Sequence, residues 1–159
     1  MTGSETDVTD LHLNPIGVGD DCAVLQIAGE IDVYTAPKLR EGVIDLLDKD
    51  VLHLIADLRD VDFLDSTGLG ALVGSLKRLR TREGSLKLVI DSDRLLRIFR
   101  ITGLVQVFSI HPSVPEAITA GGHWREAVQG ACDGACDGTF EGDSDSRSIE
   151  EWCRKHGLL

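Results

Sequence analysis

A chain of 159 residues with 42% hydrophobic and 27% charged side chains can bury a core in one domain with room for an appendage, which excludes a chain too polar to fold. Its 16 Lys and Arg against 27 Asp and Glu leave a net charge of −11, a field that repels phosphate backbones and anionic bilayers, so direct binding of nucleic acid or a membrane surface is disfavoured. Apolar runs such as Val51 to Ala56 fall far short of the ~20 residues of a membrane helix, the first residues lack the basic start of a secretion signal, and four unevenly spaced cysteines make no disulfide scaffold. The expected setting is cytoplasmic, with reduced thiols.

From Leu11 to about Ala120, strand-like and helix-like segments alternate with short connections, which is an α/β pattern. Leu11-His12-Leu13 reads as a weak first strand, followed by the turn-rich run Asn14 to Asp21 and a second strand over Cys22 to Ile31. At Thr35-Ala36-Pro37 the apolar period changes from two to 3.6. Thr35 is placed to cap, Pro37 suits a first helical turn, and Leu39, Val43, Leu46 and Leu47 share a face, so a helix is predicted to end near Asp50.

Val51 to Leu58 is apolar on both faces except for His53 and Asp57, as a central parallel strand covered by helices requires. A helix after Asp65 carries the stripe Leu69, Leu72, Val73, Leu76 and Leu79, with Lys77, Arg78, Arg80 and Arg82 outside. Leu86 to Ile90 is the next strand. Ser92 then caps a helix ending at Gly103, Val105 to Ile110 is the last strand, and Ser113-Val-Pro-Glu116 is a capping box opening a short helix. Right-handed crossovers give a mixed, mostly parallel sheet of four to five strands with about four helices, the first strand antiparallel. Composition shifts at Ala120, so a domain over 9–120 is expected, followed over 121–159 by a flexible acidic tail. In the tail's terminal stretch Ser148 is placed to cap a short helix whose Ile149, Trp152 and Cys153 share a face; it either docks back on the domain or binds elsewhere.

The informative stretch is Asp65-Ser66-Thr67-Gly68-Leu69-Gly70, which sets two hydroxyls at a strand-to-helix junction where backbone N–H groups lack partners. A phosphate on either hydroxyl would meet those donors and the positive end of the helix dipole. Gly68, Gly70 and Gly74 cost helix propensity, which suggests a helix edge that another backbone approaches closely. The simpler local reading is that Asp65 or Ser66 caps the helix and the glycines pack on the sheet.

Asp65-Ser66-Thr67-Gly68-Leu69-Gly70 after a central strand, with Gly29-Glu30-Ile31-Asp32 and Thr35-Ala36 upstream, resembles the STAS-domain family, specifically the bacterial anti-sigma factor antagonists, over roughly Thr9 to Ala120. The resemblance implies a non-enzymatic regulator that needs no cofactor. Its unphosphorylated form would bind an anti-sigma factor, often a serine kinase of the histidine-kinase-like ATPase type, and so free a sigma factor; a phosphatase would reverse the modification. It implies Ser66 as the phosphoacceptor, with Thr67 where relatives carry Ser or Thr. It maps the second contact region onto Glu30, Asp32, Thr35 and Ala36, with Val33 and Tyr34 at variable positions. Asp65 would support the helix start, and Gly68, Leu69 and Gly70 would belong to the contact surface, the two glycines permitting close approach of the partner. The tail lies outside the resemblance.

Other readings are weaker. Ser66 lacks a Gly-x-Ser-x-Gly elbow, and no spacing sets His53 or His111 beside it as a base. Asp65-Ser66-Thr67-Gly68 has one residue too many before Gly for an aspartic-protease triplet, and neither a dinucleotide fingerprint nor a Walker lysine is present. Cys132, Cys136, Cys153 and His156, with His123 in reserve, are within reach of zinc-ligand spacing, although solvated thiols in a mobile tail are the plainer expectation. Cys22 and His53 read as satisfied strand residues, and Trp124 and Trp152 as docking contacts. A STAS domain serving as a scaffold of a stress-signalling assembly, without a phosphoswitch, is the alternative function.

Overall fold

The described residues begin with a hairpin that turns at Gly19, whose φ of +66° favours glycine. The computed structural model describes residues 11–121, 123–124, 126–128 and 144–158. In it β1 (Leu11–Val18) pairs antiparallel with β2 (Cys22–Ile31). β1 is longer than its apolar start suggests. Pro15, which donates no hydrogen bond, is accommodated because β1 is the edge of the sheet. Then follow α1 (Ala36–Asp48), β3 (His53–Leu64), α2 (Ser66–Thr81), β4 (Ser85–Val89), α3 (Asp93–Ile101), β5 (Ser109–His111) and α4 (Val114–Thr119). The sheet order is β1-β2-β3-β4-β5, with every pair after the first parallel, so β3 is central as its two-sided apolar pattern demands.

One predicted strand is mostly something else. Over Val105 to Ile110 the chain forms a single 3-10 turn at Leu104–Gln106 and only then β5. The five-residue β4 offers just Lys87, Leu88 and Val89 for pairing, which caps β5 at three residues.

Strand alternation splits the core in two. Leu54, Ala56, Leu86 and Leu88 join Leu39, Val43, Leu47, Leu72, Leu76, Leu79, Leu95 and Phe99 on the face covered by α1, α2 and α3. Val24, Ile55 and Val89 point the other way, against Val114 and Ile118 of α4. Also on that second face lie Trp124, Val128, Ile149, Trp152, Cys153 and Leu158, all buried. The described parts of 121–159 are therefore packed rather than free. Residues 123–124 and 126–128 are helical, and α5 (Ser144–Lys155) starts ahead of Ser148, the expected cap, and lies against α4. The cause is plain: a parallel sheet presents apolar side chains on both faces, and the six-residue α4 is too short to cover one of them. Arg59 fastens this layer. Its guanidinium grips the buried Asp57 carboxylate with two hydrogen bonds (2.9 and 2.8 Å) and donates to the Leu158 carbonyl (2.8 Å).

Candidate functional site

β3 outruns its neighbour. It pairs with β4 only through His53–Asp57, whereas its pairing with β2 continues to Leu64. Residues 58–64 thus project with the end of β2 as an overhang at the C-terminal edge of the parallel strands, where loops of such sheets gather. Two register shifts, between Gln26 and Ala28 and between Gly29 and Glu30, leave the β3 side with extra residues. Such bulges bend a strand and re-aim its side chains. Gly29 takes φ +111°, open to glycine but strained for other residues.

The chain turns from β3 into α2 at Asp65, which has extended backbone and accepts a hydrogen bond from the Gly68 N–H at 2.9 Å. This is a helix cap of the ordinary kind, worth about 1 kcal/mol. Ser66 is the first helical residue and is exposed, while Thr67 is half-buried. Gly68 has a reason internal to the fold. A Cβ there would stand 2.6 Å from side-chain atoms of Ile31 and Leu64 and 2.9 Å from the Ile31 carbonyl. The close approach expected of a partner is at Gly68 made by the protein's own β2. Gly70 is exposed, with nothing within 4 Å of an added Cβ, and leaves room outside.

The loop after β2 is a tight polar turn. The Asp32 carboxylate accepts from the Tyr34 and Thr35 amides (2.9 and 3.0 Å), and the Asp32 amide donates to Thr35 Oγ1 (2.9 Å). That hydroxyl donates to the Glu30 carbonyl (2.7 Å), and the Ala36 amide donates to the Asp32 carbonyl (2.8 Å). Thr35, expected to cap α1 with its side chain, is spent on this turn instead. Thr35 and Ala36 are buried and shape the loop from within.

The two loops are one surface. The Asp65 amide donates to the Ile31 carbonyl at 3.2 Å, and Ile31 pairs with Leu64. Ser66, Asp65, Glu30 and Asp32 are therefore brought together, all at least partly accessible, while Gly68 and Leu69 lie beneath them. Three exposed apolar side chains border this surface, two of them at the positions the resemblance leaves variable. Tyr34 is 83% exposed, Val33 55% and Phe63 48%, and Phe63 pairs with Glu30 across the ribbon. Beside Phe63 a groove runs between Asp62, Leu64, Arg94, Leu95 and Ile98, and Arg94 donates to the Asp62 carbonyl. The available signal was two apolar residues held between turn formers that fix their backbone. Glu30, Asp32, Asp60, Asp62 and Asp65 make the end acidic around this apolar patch.

A second cluster of polar groups sits at the opposite edge of the sheet. His123 Nε2 meets Asp21 Oδ1 at 2.9 Å, and this hydrogen bond holds the Asp21 carboxyl below its usual range. His53 stacks on His123 with ring centroids 4.4 Å apart, and burial lowers its proton affinity. Burial pushes the Cys22 and Cys153 thiols up to about 12, so both are inert core residues as they stand. Cys153 is fully buried, which corrects its reading as a solvated thiol, and His156 Nδ1 bonds the Trp152 carbonyl. Cys132 and Cys136 lie outside the described residues.

The STAS domain family pattern matches residues 16–117, and the chain belongs to that family. It is similar to the anti-sigma-B factor antagonist of Listeria monocytogenes serovar 1/2a, 49% identical over 84 residues that span 53% of this chain and 74% of the relative. The anti-sigma-B factor antagonist of Bacillus subtilis (strain 168) is also 49% identical, over 86 residues, covering 54% and 78%. Among solved structures it resembles an anti-sigma factor antagonist from Mycobacterium paratuberculosis with a TM-score of 0.64 and 28% identity, covering 70% of this chain and 94% of the other. These relatives bear the names of regulators rather than enzymes. Among the described residues no helix is long and apolar enough to cross a membrane.

Proposed function

We propose that this STAS-family chain is an anti-sigma factor antagonist whose β2–β3 overhang binds an anti-sigma factor, so releasing a sigma factor, and that phosphorylation of Ser66 switches the binding off. The names of the relatives support the antagonist role. The observation that carries the switch is an exposed hydroxyl at the first residue of α2, flanked by Asp65, Asp32 and Glu30 and rimmed by exposed Val33, Tyr34 and Phe63.

The physics runs in two opposed directions. In the free protein a phosphate on Ser66 is tolerable, because the first-turn amides of α2 and the helix dipole favour an anion. Against a partner, the added charge of about −1.5 to −2 joins several carboxylates and must shed water over an apolar patch. A loss of ~3 kcal/mol weakens binding more than a hundredfold, enough for an on/off device without a change of fold. The partner that fits is an anti-sigma factor with serine-kinase activity of the histidine-kinase-like ATPase type, opposed by a phosphatase that resets Ser66.

The test compares Ser66→Ala and Ser66→Asp for binding to an anti-sigma factor captured from the source cell with the Ala variant. The Asp variant is expected to bind at least about a hundredfold more weakly at equal thermal stability. Equal affinities would remove the phosphoswitch and leave the alternative, a STAS interaction module of a larger signalling assembly.

A further inference from the structure

Three segments distant in sequence meet at the N-terminal edge of the sheet, the end opposite Ser66. Asp21 closes the β1–β2 turn, Cys22 begins β2, His53 begins β3, and His123 stands beyond α4. A carboxylate oxygen of Asp21, Sγ of Cys22 and an imidazole nitrogen of His123 all lie within 4.8 Å of one another. From these residues we propose a zinc-class metal site with Asp21, Cys22 and His123 as ligands and a water as the fourth.

The distances suit the chemistry. Bonds of about 2.0–2.3 Å at tetrahedral angles hold ligand atoms about 3.3–3.8 Å apart. Cys22 Sγ is 3.6 Å from Asp21 Oδ1, and His123 Nε2 is 2.9 Å from it, so the latter pair needs to open by only a few tenths of an ångström. The ring of His53 is already in contact with that of His123. Its Nδ1 is engaged by Ser85 Oγ at 2.9 Å, which fixes the ring as a wall beside the site.

Charge balances as well: one thiolate and one carboxylate neutralise a dication, and one imidazole and a water complete the shell without charge. On binding, the Cys22 thiol proton leaves to solvent, and the His123 ring takes the tautomer with its proton on Nδ1, so that Nε2 offers a lone pair and the ring stays neutral. Mixed sulfur, nitrogen and oxygen donors favour zinc or cobalt over calcium or magnesium.

The frame around the ligands is rigid before any ion arrives. The Asp21 carbonyl accepts from the amides of both Leu52 and His53 (2.8 and 3.0 Å), and the Ser85 amide donates to the Leu52 carbonyl (2.9 Å). His123 is anchored by its neighbour Trp124, which is 1% exposed in the second core layer. A metal here would staple the segment carrying His123 to the sheet. The site is independent of the switch proposed for Ser66.

The test titrates Co²⁺, a coloured stand-in for zinc, into the full chain carrying Cys132→Ser and Cys136→Ser, so that those thiols cannot contribute. The expected result is one equivalent bound with a thiolate-to-cobalt charge-transfer band. His123→Ala, a substitution of an accessible side chain, should weaken binding by more than about tenfold. Cys22→Ser should abolish the band, and Zn²⁺ should raise the thermal midpoint of the parent but not of His123→Ala. The proposal is overturned if the Cys132/Cys136 variant binds no Co²⁺, binds it without the sulfur band, or binds it equally with and without His123.

Discussion

The two faces of the sheet are built by different kinds of sequence. The face under α1, α2 and α3 is filled by residues spaced three and four apart on long helices, such as Leu69, Leu72, Leu76 and Leu79. The opposite face is closed by the six-residue α4, by the Ile149 and Trp152 face of α5, and by anchors at Trp124, Val128 and Leu158. Periodic helices declare a core face in advance. Single side chains such as Trp124 and Leu158 fill one just as well without declaring it, because burial rewards area rather than rhythm.

The sharpest way to break that comparison is Trp152→Ala. A tryptophan 5% exposed against the second face is expected to cost about 3–5 kcal/mol in urea unfolding of the whole chain. A loss under about 1 kcal/mol would mean that α5 is no part of the cooperative fold. Next comes Arg59→Ala, which strands the buried Asp57 carboxylate and frees Leu158. Because Arg59 keeps some contact with water, the expected cost is about 2–3 kcal/mol by the same measurement.

Trp124→Phe should do far less. Its indole N–H is the one buried side-chain polar atom without a hydrogen-bond partner among the described residues, so removing it offsets the lost ring area, and stability should stay within about 1 kcal/mol. A loss above about 2 kcal/mol would assign the position to ring size instead.

The smallest expected effect is one of pH. Burial, helped by the Lys87 cation and opposed by Glu116, holds His111 below its ordinary value of 6.5. The unfolded chain then takes up the proton first. Stability contributed by the neutral ring is complete above about pH 6.5, declines as pH falls toward the lowered folded value, and levels off beneath it. Urea midpoints measured across that window should slope less in His111→Gln; an unchanged slope would assign the dependence to other groups.

Much of the first face was readable because its signals are local: Asp65 capping α2, Ser92 capping α3, and the stripe of α1 all stand within a few residues of what they determine. The site was readable in part. Ser66 is exposed at the helix start, as the sequence motif requires. Gly68 took its meaning from Ile31 and Leu64, and Thr35 from the Glu30 carbonyl, contacts that exist only once β2 and β3 are paired. Tyr34 and Phe63 were missed for the converse reason, since an apolar residue in sequence says nothing of whether anything covers it. The cluster of Asp21, Cys22, His53 and His123 spans 102 positions between Asp21 and His123, beyond the reach of any spacing rule.

β3 serves two masters along its length. Its first five residues are clasped between neighbours on either side, while the stretch over 58–64 has a companion strand on one side only. Outward-facing positions there, Asp60, Asp62 and Phe63, can vary with little penalty to folding, whereas changes at Ile55 or Ala56 are felt by the whole molecule. Lineages that duplicate such a gene have a place where recognition can drift toward a new interlocutor while the scaffold is inherited unaltered.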